Sequence, residues 1–187
     1  MELGNENTLA RRAAFEHGGP LKGLRVAVTG GTSGLGLALV HEFASAGSSV
    51  AFVARDRTKI DTTLTDIPGT HGIAGDVSRK EDIYPIAMEI TGELGGLDVL
   101  INNASSLGPV PLALLGDTEC EDLEQALATN LLGPFRLTKA LLADLSQFAG
   151  IPQAKYLKYG ESRAKVFTTA RAGWRALLQR VVRPTTP

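Results

Sequence analysis

The chain has 187 residues, the length of one ordinary domain, and no apolar run approaches the ~18 residues of a membrane-spanning helix. A formal net charge of −1 gives no electrostatic reason to expect nucleic acid or an anionic membrane as partner. One cysteine, Cys120, excludes an intrachain disulfide and fits a reducing, cytoplasmic setting; the opening MELGNENTLARRAAFEHGG, with Glu2 and Glu6 ahead of its basic pair, is expected to be neither secretory signal nor transit peptide.

The predicted elements alternate short apolar runs with longer amphipathic stretches, the pattern of a parallel sheet covered by helices. RVAVTG, from Arg25, is a valine-rich buried strand closed by glycine, and Leu35 to Ala46 repeats apolar residues at helical spacing until Gly47 stops it. Ser49 to Ala54 is a second strand, and Thr58 to Ile67 a polar helix ended by Pro68-Gly69. HGIAGDV, from His71, is a weaker third strand; Ser78, with Glu81 three residues on, predicts a capping box opening a helix through Glu93. LDVLINNA, from Leu97, is a fourth strand with the continuous apolar core expected when both faces are covered. A proline-rich loop leads to a long helix from about Glu121 to Leu145, in which Pro134 removes a backbone donor and predicts a kink.

Beyond residue 150 the composition changes. Residues 151–187 carry eight Lys and Arg against one acid, Glu161, whereas residues 1–150 carry eleven against nineteen. The chain therefore divides into an N-terminal extension over 1–20, an α/β domain over 21–150 and a basic tail over 151–187. Phosphate binding by that tail is weaker as a reading than a solvated helix, because its aromatic residues are sparse. Ala164 to Val182 reads equally as an amphipathic helix docking on the sheet, with Val166, Ala170, Trp174 and Leu177 or Leu178 inward.

The turn TGGTSGLG between the first strand and first helix carries the chemistry. Gly30 permits a sharp turn, Gly34 lets backbone N–H groups approach a pyrophosphate, and Gly36 lets the helix pack close to the strand with its positive end toward the phosphates. Thr29, Gly30, Thr32, Ser33, Gly34, Leu35 and Gly36 are thus the candidate cradle.

The G-x-x-x-G-x-G spacing resembles the short-chain dehydrogenase/reductase family, as do Asp76-Val77 after the third strand, Asn102-Asn103-Ala104 closing the fourth, and ATNLLGPFRLTKALL around Asn130. The resemblance implies a Rossmann-type α/β fold with a doubly wound parallel sheet, and transfer of hydride between a nicotinamide cofactor and a small carbonyl or alcohol substrate. It implies that Asp76 and the Val77 amide hold adenine, that Asn103 and Ala104 border the cofactor, and that Asn130 is the asparagine of the catalytic tetrad. Ser105 stands where the family has glycine. Relatives that prefer NAD place an acid at the end of the second strand; here Ala54 is followed by Arg55, which would clamp a 2′-phosphate, so NADP is favoured. Asp56 keeps NAD as the alternative. Family members commonly form dimers or tetramers, which makes a homo-oligomer the expected assembly.

The family's proton donor is a tyrosine followed four residues later by a lysine, on a helix after a fifth strand that ends in the catalytic serine. This chain has no Tyr-x-x-x-Lys: Met88, Gly160 and Arg163 lie four residues after Tyr84, Tyr156 and Tyr159. No fifth strand is legible in SQFAGIPQAKYLKYG, and Ser146, thirteen residues before Tyr159, reads as a polar helix terminus. Tyr159, with Arg163 on its helical face, is the remaining candidate acid. Two readings follow: an oxidoreductase whose catalytic half is aberrant or truncated in this chain, with a sheet incomplete on its C-terminal side, or a catalytically inactive NADP(H)-binding module.

Overall fold

The computed structural model describes residues 21–111, 114–147 and 165–168. Strands β1 (Arg25–Thr29), β2 (Ser49–Ala54), β3 (His71–Ala74), β4 (Val99–Asn102) and β5 (Lys165–Thr168) form one sheet in the order β3-β2-β1-β4-β5, and every pairing is parallel. Helices α1 (Gly34–Ser45), α2 (Arg57–Asp66) and α3 (Ile83–Leu94) make the crossovers; α4 (Cys120–Leu127), α5 (Gly133–Ala140) and α6 (Leu142–Gln147) follow β4. The order reverses between β1 and β4, which opens a crevice at their carboxyl ends, as the doubly wound α/β reading requires.

Alternation along the strands divides the core into two layers. Val26 and Val28 of β1, Val50 and Phe52 of β2, and Val99 and Ile101 of β4 face α1 and α2, where Leu39, Val40, Phe43 and Ile60 meet them. The intervening Ala27, Ala51, Val53 and Leu100 face the other way, toward Ile83, Ile86, Ile90 and Leu94 of α3 and toward Leu137, Leu141 and Leu145. Both faces of the strands are therefore covered, which explains why the apolar runs are continuous.

The rim where the strands begin is closed by charge. Arg25 donates from Nε to Asp98 Oδ2 at 3.0 Å, from Nη2 to Asp98 Oδ1 at 2.6 Å and from Nη1 to the Gly95 carbonyl at 2.7 Å. The Arg25 N–H also donates to Asp98 Oδ2 at 2.9 Å, so one carboxylate satisfies both the side chain and the backbone of its partner. Arg25 is 6% and Asp98 1% exposed, and the guanidinium lies where a Cβ of Gly96 would stand.

Three expectations change. Ser78 does not cap α3: its hydroxyl is drawn to the Asp76 carboxylate, a 3₁₀ turn over Lys80–Asp82 intervenes, and the helix starts at Ile83 behind Asp82. The long helix over 121–145 is α4, α5 and α6, with a π turn over Ala128–Leu132 between the first two. Pro134, which has no N–H to give the Asn130 carbonyl, follows that turn, and Gly133 donates instead to the Ala128 carbonyl five residues back. Finally, Lys165–Thr168 is a strand rather than the start of an amphipathic helix, pairing with β4 from Val99↔Lys165 to Asn102↔Thr168. A fifth strand therefore exists, downstream of the segment where the sequence showed none. The N-terminal extension and the rest of the basic tail lie outside the described residues.

Candidate functional site

Thr29 ends β1 in the crevice, and its Oγ1 accepts from the backbone N–H groups of Asn103 and Ala104, each at 3.0 Å. Asn103 returns the contact: Nδ2 donates to the carbonyls of Thr29 at 3.0 Å and Gly30 at 3.3 Å. The turns after β1 and β4 are thereby interlocked across the switch point. Sequence reasoning placed Asn103 beside the cofactor; its amide is here engaged in holding the glycine turn. Asn102 is buried behind it and donates to Thr138 Oγ1 of α5 at 3.2 Å.

The glycine turn is built for close approach. Gly30, at φ 72°, donates to the Val53 carbonyl at 2.8 Å, and a Cβ there would stand 3.1 Å from Ala104 Cα. A Cβ on Gly36 would collide with the Gly30 carbonyl oxygen, so only glycine lets α1 begin this near β1. Gly34, at φ 51°, has nothing within 4 Å of where its Cβ would be, leaving an open surface over the helix start. Ser33 occupies the N-cap without a side-chain bond, and no acid lies in the first turn. The N–H groups of Gly34, Leu35 and Gly36 have no intrahelical acceptor and suit an anion. Thr32 and Ser33 flank them on the half-buried to exposed side of the turn. A dinucleotide's phosphates fit these residues: the donors are backbone, the field is positive, and the space is clear.

The loop after β3 forms the neighbouring wall. Asp76 Oδ1 accepts from Ser78 N at 2.9 Å and Ser78 Oγ at 2.7 Å, while the Asp76 N–H donates to Asp82 Oδ2 at 2.9 Å. Asp76 Oδ2 faces Arg55 Nη1 at 3.9 Å. Val77 is buried in the α3 layer, and its carbonyl lies 2.5 Å from where a Cβ of Gly133 would be, so the loop is backed directly by the start of α5. Asp56 uses Oδ1 to accept from Thr58 N at 3.0 Å and Lys59 N at 3.3 Å, capping α2. Arg55 remains 76% exposed at the mouth of the site.

Asn130 lies within the π turn, and its side chain binds the loop after β4: Oδ1 accepts from Ser106 N at 2.8 Å and Nδ2 donates to the Ser106 carbonyl at 2.7 Å. Sequence reasoning singled out Asn130, Asp76 and the glycines of this rim. It did not single out Asp82, which accepts from a backbone N–H six residues back, or Ser106 and Gln125, whose partners lie 24 and 47 positions away where no local signal reaches; Gln125 Nε2 donates to Ser78 Oγ at 3.2 Å. Tyr159 lies outside the described residues. It precedes β5 in the chain, whereas the resemblance puts the tyrosine after the fifth strand. Among the described residues no cluster of His, Cys, Asp or Glu could hold a metal ion, and no helix is long and apolar enough to cross a membrane.

Comparison with known proteins agrees with this geometry. A family model described as short chain dehydrogenase matches residues 25–151. L-fucose dehydrogenase of Mus musculus is 34% identical over 125 residues, covering 67% of this chain and 45% of that protein. Glucose 1-dehydrogenase of Gluconobacter oxydans is 32% identical over 162 residues, covering 77% and 60%. Among solved structures, a short-chain dehydrogenase from Streptomyces avermitilis superposes with a TM-score of 0.61 at 30% identity, covering 66% of this chain and 44% of that one. One from Burkholderia cenocepacia, in complex with NADP, superposes with a TM-score of 0.58 at 25% identity, covering 67% and 52%. The chain spans about half the length of the first curated relatives it matches. With a glycine turn, a switch-point crevice and a family model that agree over the same residues, this chain belongs to the short chain dehydrogenase family.

Proposed function

We propose that this chain binds NADP(H) and serves an oxidoreductase that reduces a small carbonyl compound or oxidises the corresponding alcohol. The observation that carries the reading is the collision-free entry of α1 at Gly36, tied through Thr29 and Asn103 to the end of β4. The first-turn N–H groups of α1 hold the pyrophosphate, and Asp76 Oδ2 with the Val77 amide hold the adenine. The bound nicotinamide supplies or takes up the hydride. Asn130 keeps the loop after β4 in place at the reacting end.

NADP is preferred over NAD in this reading because Arg55 is exposed at the end of β2 while Asp56 already caps α2. A 2′-phosphate would gain charge-assisted bonds from Arg55. The Burkholderia cenocepacia relative solved with NADP supports the same choice. Two relatives are named for sugar oxidation, so aldoses head the substrate panel. The exposed Leu127, Leu131 and Phe135 around the π turn favour a homodimer or homotetramer, and the lone exposed Cys120 favours the cytoplasm.

Calorimetric titration of the purified chain with NADPH and NADH tests the reading. Tighter binding of NADPH, by ~10-fold or more, and inversion of the preference in Arg55→Asp are expected. Binding of neither dinucleotide would reject it. The absence of Tyr-x-x-x-Lys from the 187 residues favours a second reading, a binding module without turnover. NADP+ reduction by the purified chain with aldoses or other alcohols, or NADPH oxidation with aldehydes or ketones, would reject that second reading.

A further inference from the structure

The Asp76 carboxylate does not stand alone. Ser78 Oγ donates to Asp76 Oδ1 at 2.7 Å, and Gln125 Nε2, from α4, reaches the same hydroxyl at 3.2 Å across forty-seven positions of sequence. The direction of this chain is dictated by its chemistry. A serine hydroxyl has one proton, and the carboxylate takes it; the oxygen can then only accept from Gln125, so the glutamine must present its NH₂. A hydroxyl that accepts one bond while giving another is a stronger donor, and its torsion is no longer free.

The same helical segment presses on the loop at a second place, where the absent side chain of Gly133 brings α5 against the Val77 carbonyl. Gln125 and Gly133 are eight residues apart, one on each side of the π turn, and they contact adjacent residues of one loop. The other charged groups facing the carboxylate are Arg55, 3.9 Å from Oδ2, and Asp82, which accepts from the Asp76 N–H and lies 3.9 Å from Arg79. Neither of them touches the Ser78 hydroxyl.

We propose that Gln125 is a positioning residue for base recognition: through Ser78 it occupies and orients Asp76 Oδ1, leaving Oδ2 as the acceptor offered to the 6-amino group of a purine. The inference rests on the adenine reading of Asp76 given above. It assigns α4 a part in selecting the cofactor's base although that helix contributes no atom to the base itself. An amino group at position 6 donates to Oδ2; a 6-oxo group, as in hypoxanthine, is repelled by it. Discrimination between the two bases therefore depends on how firmly the carboxylate is held.

The test is calorimetric binding of NADPH and of its hypoxanthine analogue to the full chain and to Gln125→Glu, Gln125→Ala, Asp76→Asn and Arg79→Ala. The unmodified chain is expected to favour adenine, and Asp76→Asn to bring the affinity ratio close to one. Gln125→Glu, which replaces the donor by an acceptor competing for the Ser78 proton, is expected to lower the ratio by ~3- to 10-fold, and Gln125→Ala by ~2- to 5-fold. Arg79→Ala, in the same loop but off the relay, should keep it. Gln125 is exposed, so melting curves of its variants should match the parent. A purely structural role would weaken both dinucleotides equally and leave the ratio unchanged, which overturns the proposal. Failure of Asp76→Asn to alter the ratio overturns the adenine reading beneath it; an effect of Asp76→Asn with none of Gln125→Glu overturns the relay alone.

Discussion

Asn130 treats Ser106 as one strand residue treats its neighbour: its side-chain amide both accepts from and donates to the same backbone unit. The π turn makes this possible by rotating residue 130 out of α-helical register toward the loop after β4. Asn130→Asp keeps the acceptor but sets a carboxylate oxygen against the Ser106 carbonyl. Amide exchange at Ser106 should accelerate by ~10-fold, with little change in the melting of the sheet. Unchanged exchange would show that the contact does not hold the loop.

Thr29→Val removes an oxygen that accepts two backbone N–H groups while keeping the β-branched shape. The N–H groups of Asn103 and Ala104 then lose their shared partner, at a cost of about 1–3 kcal/mol in urea denaturation. Thr29→Ser should recover most of that loss. If instead Thr29→Val is as stable as the parent and Thr29→Ser is not, packing of the methyl group rather than the oxygen is responsible.

Gly36→Ala and Gly34→Ala separate space from backbone conformation. At Gly36 the new methyl meets the Gly30 carbonyl, and the turn must deform; NADPH binding should be lost to calorimetric detection. At Gly34 nothing stands in the way, and only the positive φ resists, so stability falls by about 1 kcal/mol and binding weakens without vanishing. Equal effects at the two positions would mean that the close approach of α1 to β1 does not shape the phosphate site.

Asp98→Ala leaves Arg25 charged and buried with only the Gly95 carbonyl beside it. Breaking a buried pair in this way costs about 3–5 kcal/mol. Because the pair lies where the strands begin and the crevice where they end, NADPH affinity at low temperature should remain within about twofold of the parent once folding is complete. A loss of affinity without loss of stability would contradict that separation.

Tyr159→Phe should leave NADPH binding within about twofold of the parent and any measured turnover intact, since the residue precedes the fifth strand rather than following it. Loss of turnover in this variant alone would reinstate Tyr159 as the proton donor.

The sheet from β1 to β4 was legible because each strand is a short apolar run between glycine or polar punctuation, and the parity of Val26, Ala27 and Val28 follows directly. β5 was not, because only Val166 and Phe167 in it are aliphatic or aromatic and the following residues continue at helical spacing. The glycine cradle was legible because steric need writes itself into residue type. Ser78 was misassigned for the complementary reason: its capping pattern is real, but Asp76, two residues before it, takes its hydroxyl. Nothing local announces Gln125, whose partner is remote in the chain.

The Arg25–Asp98 clamp has a consequence for how such a domain can diversify. Register between β1 and β4 is pinned at the rim where both strands start, at the opposite end of the strands from the crevice. On the far rim the Thr29–Asn103 interlock holds the two strand ends together, and the loop residues outside it are released from that task. Arg55, Ser105 and the residues beyond Ser106 can change, and with them what the domain binds, while the alignment beneath them stays where the salt bridge sets it.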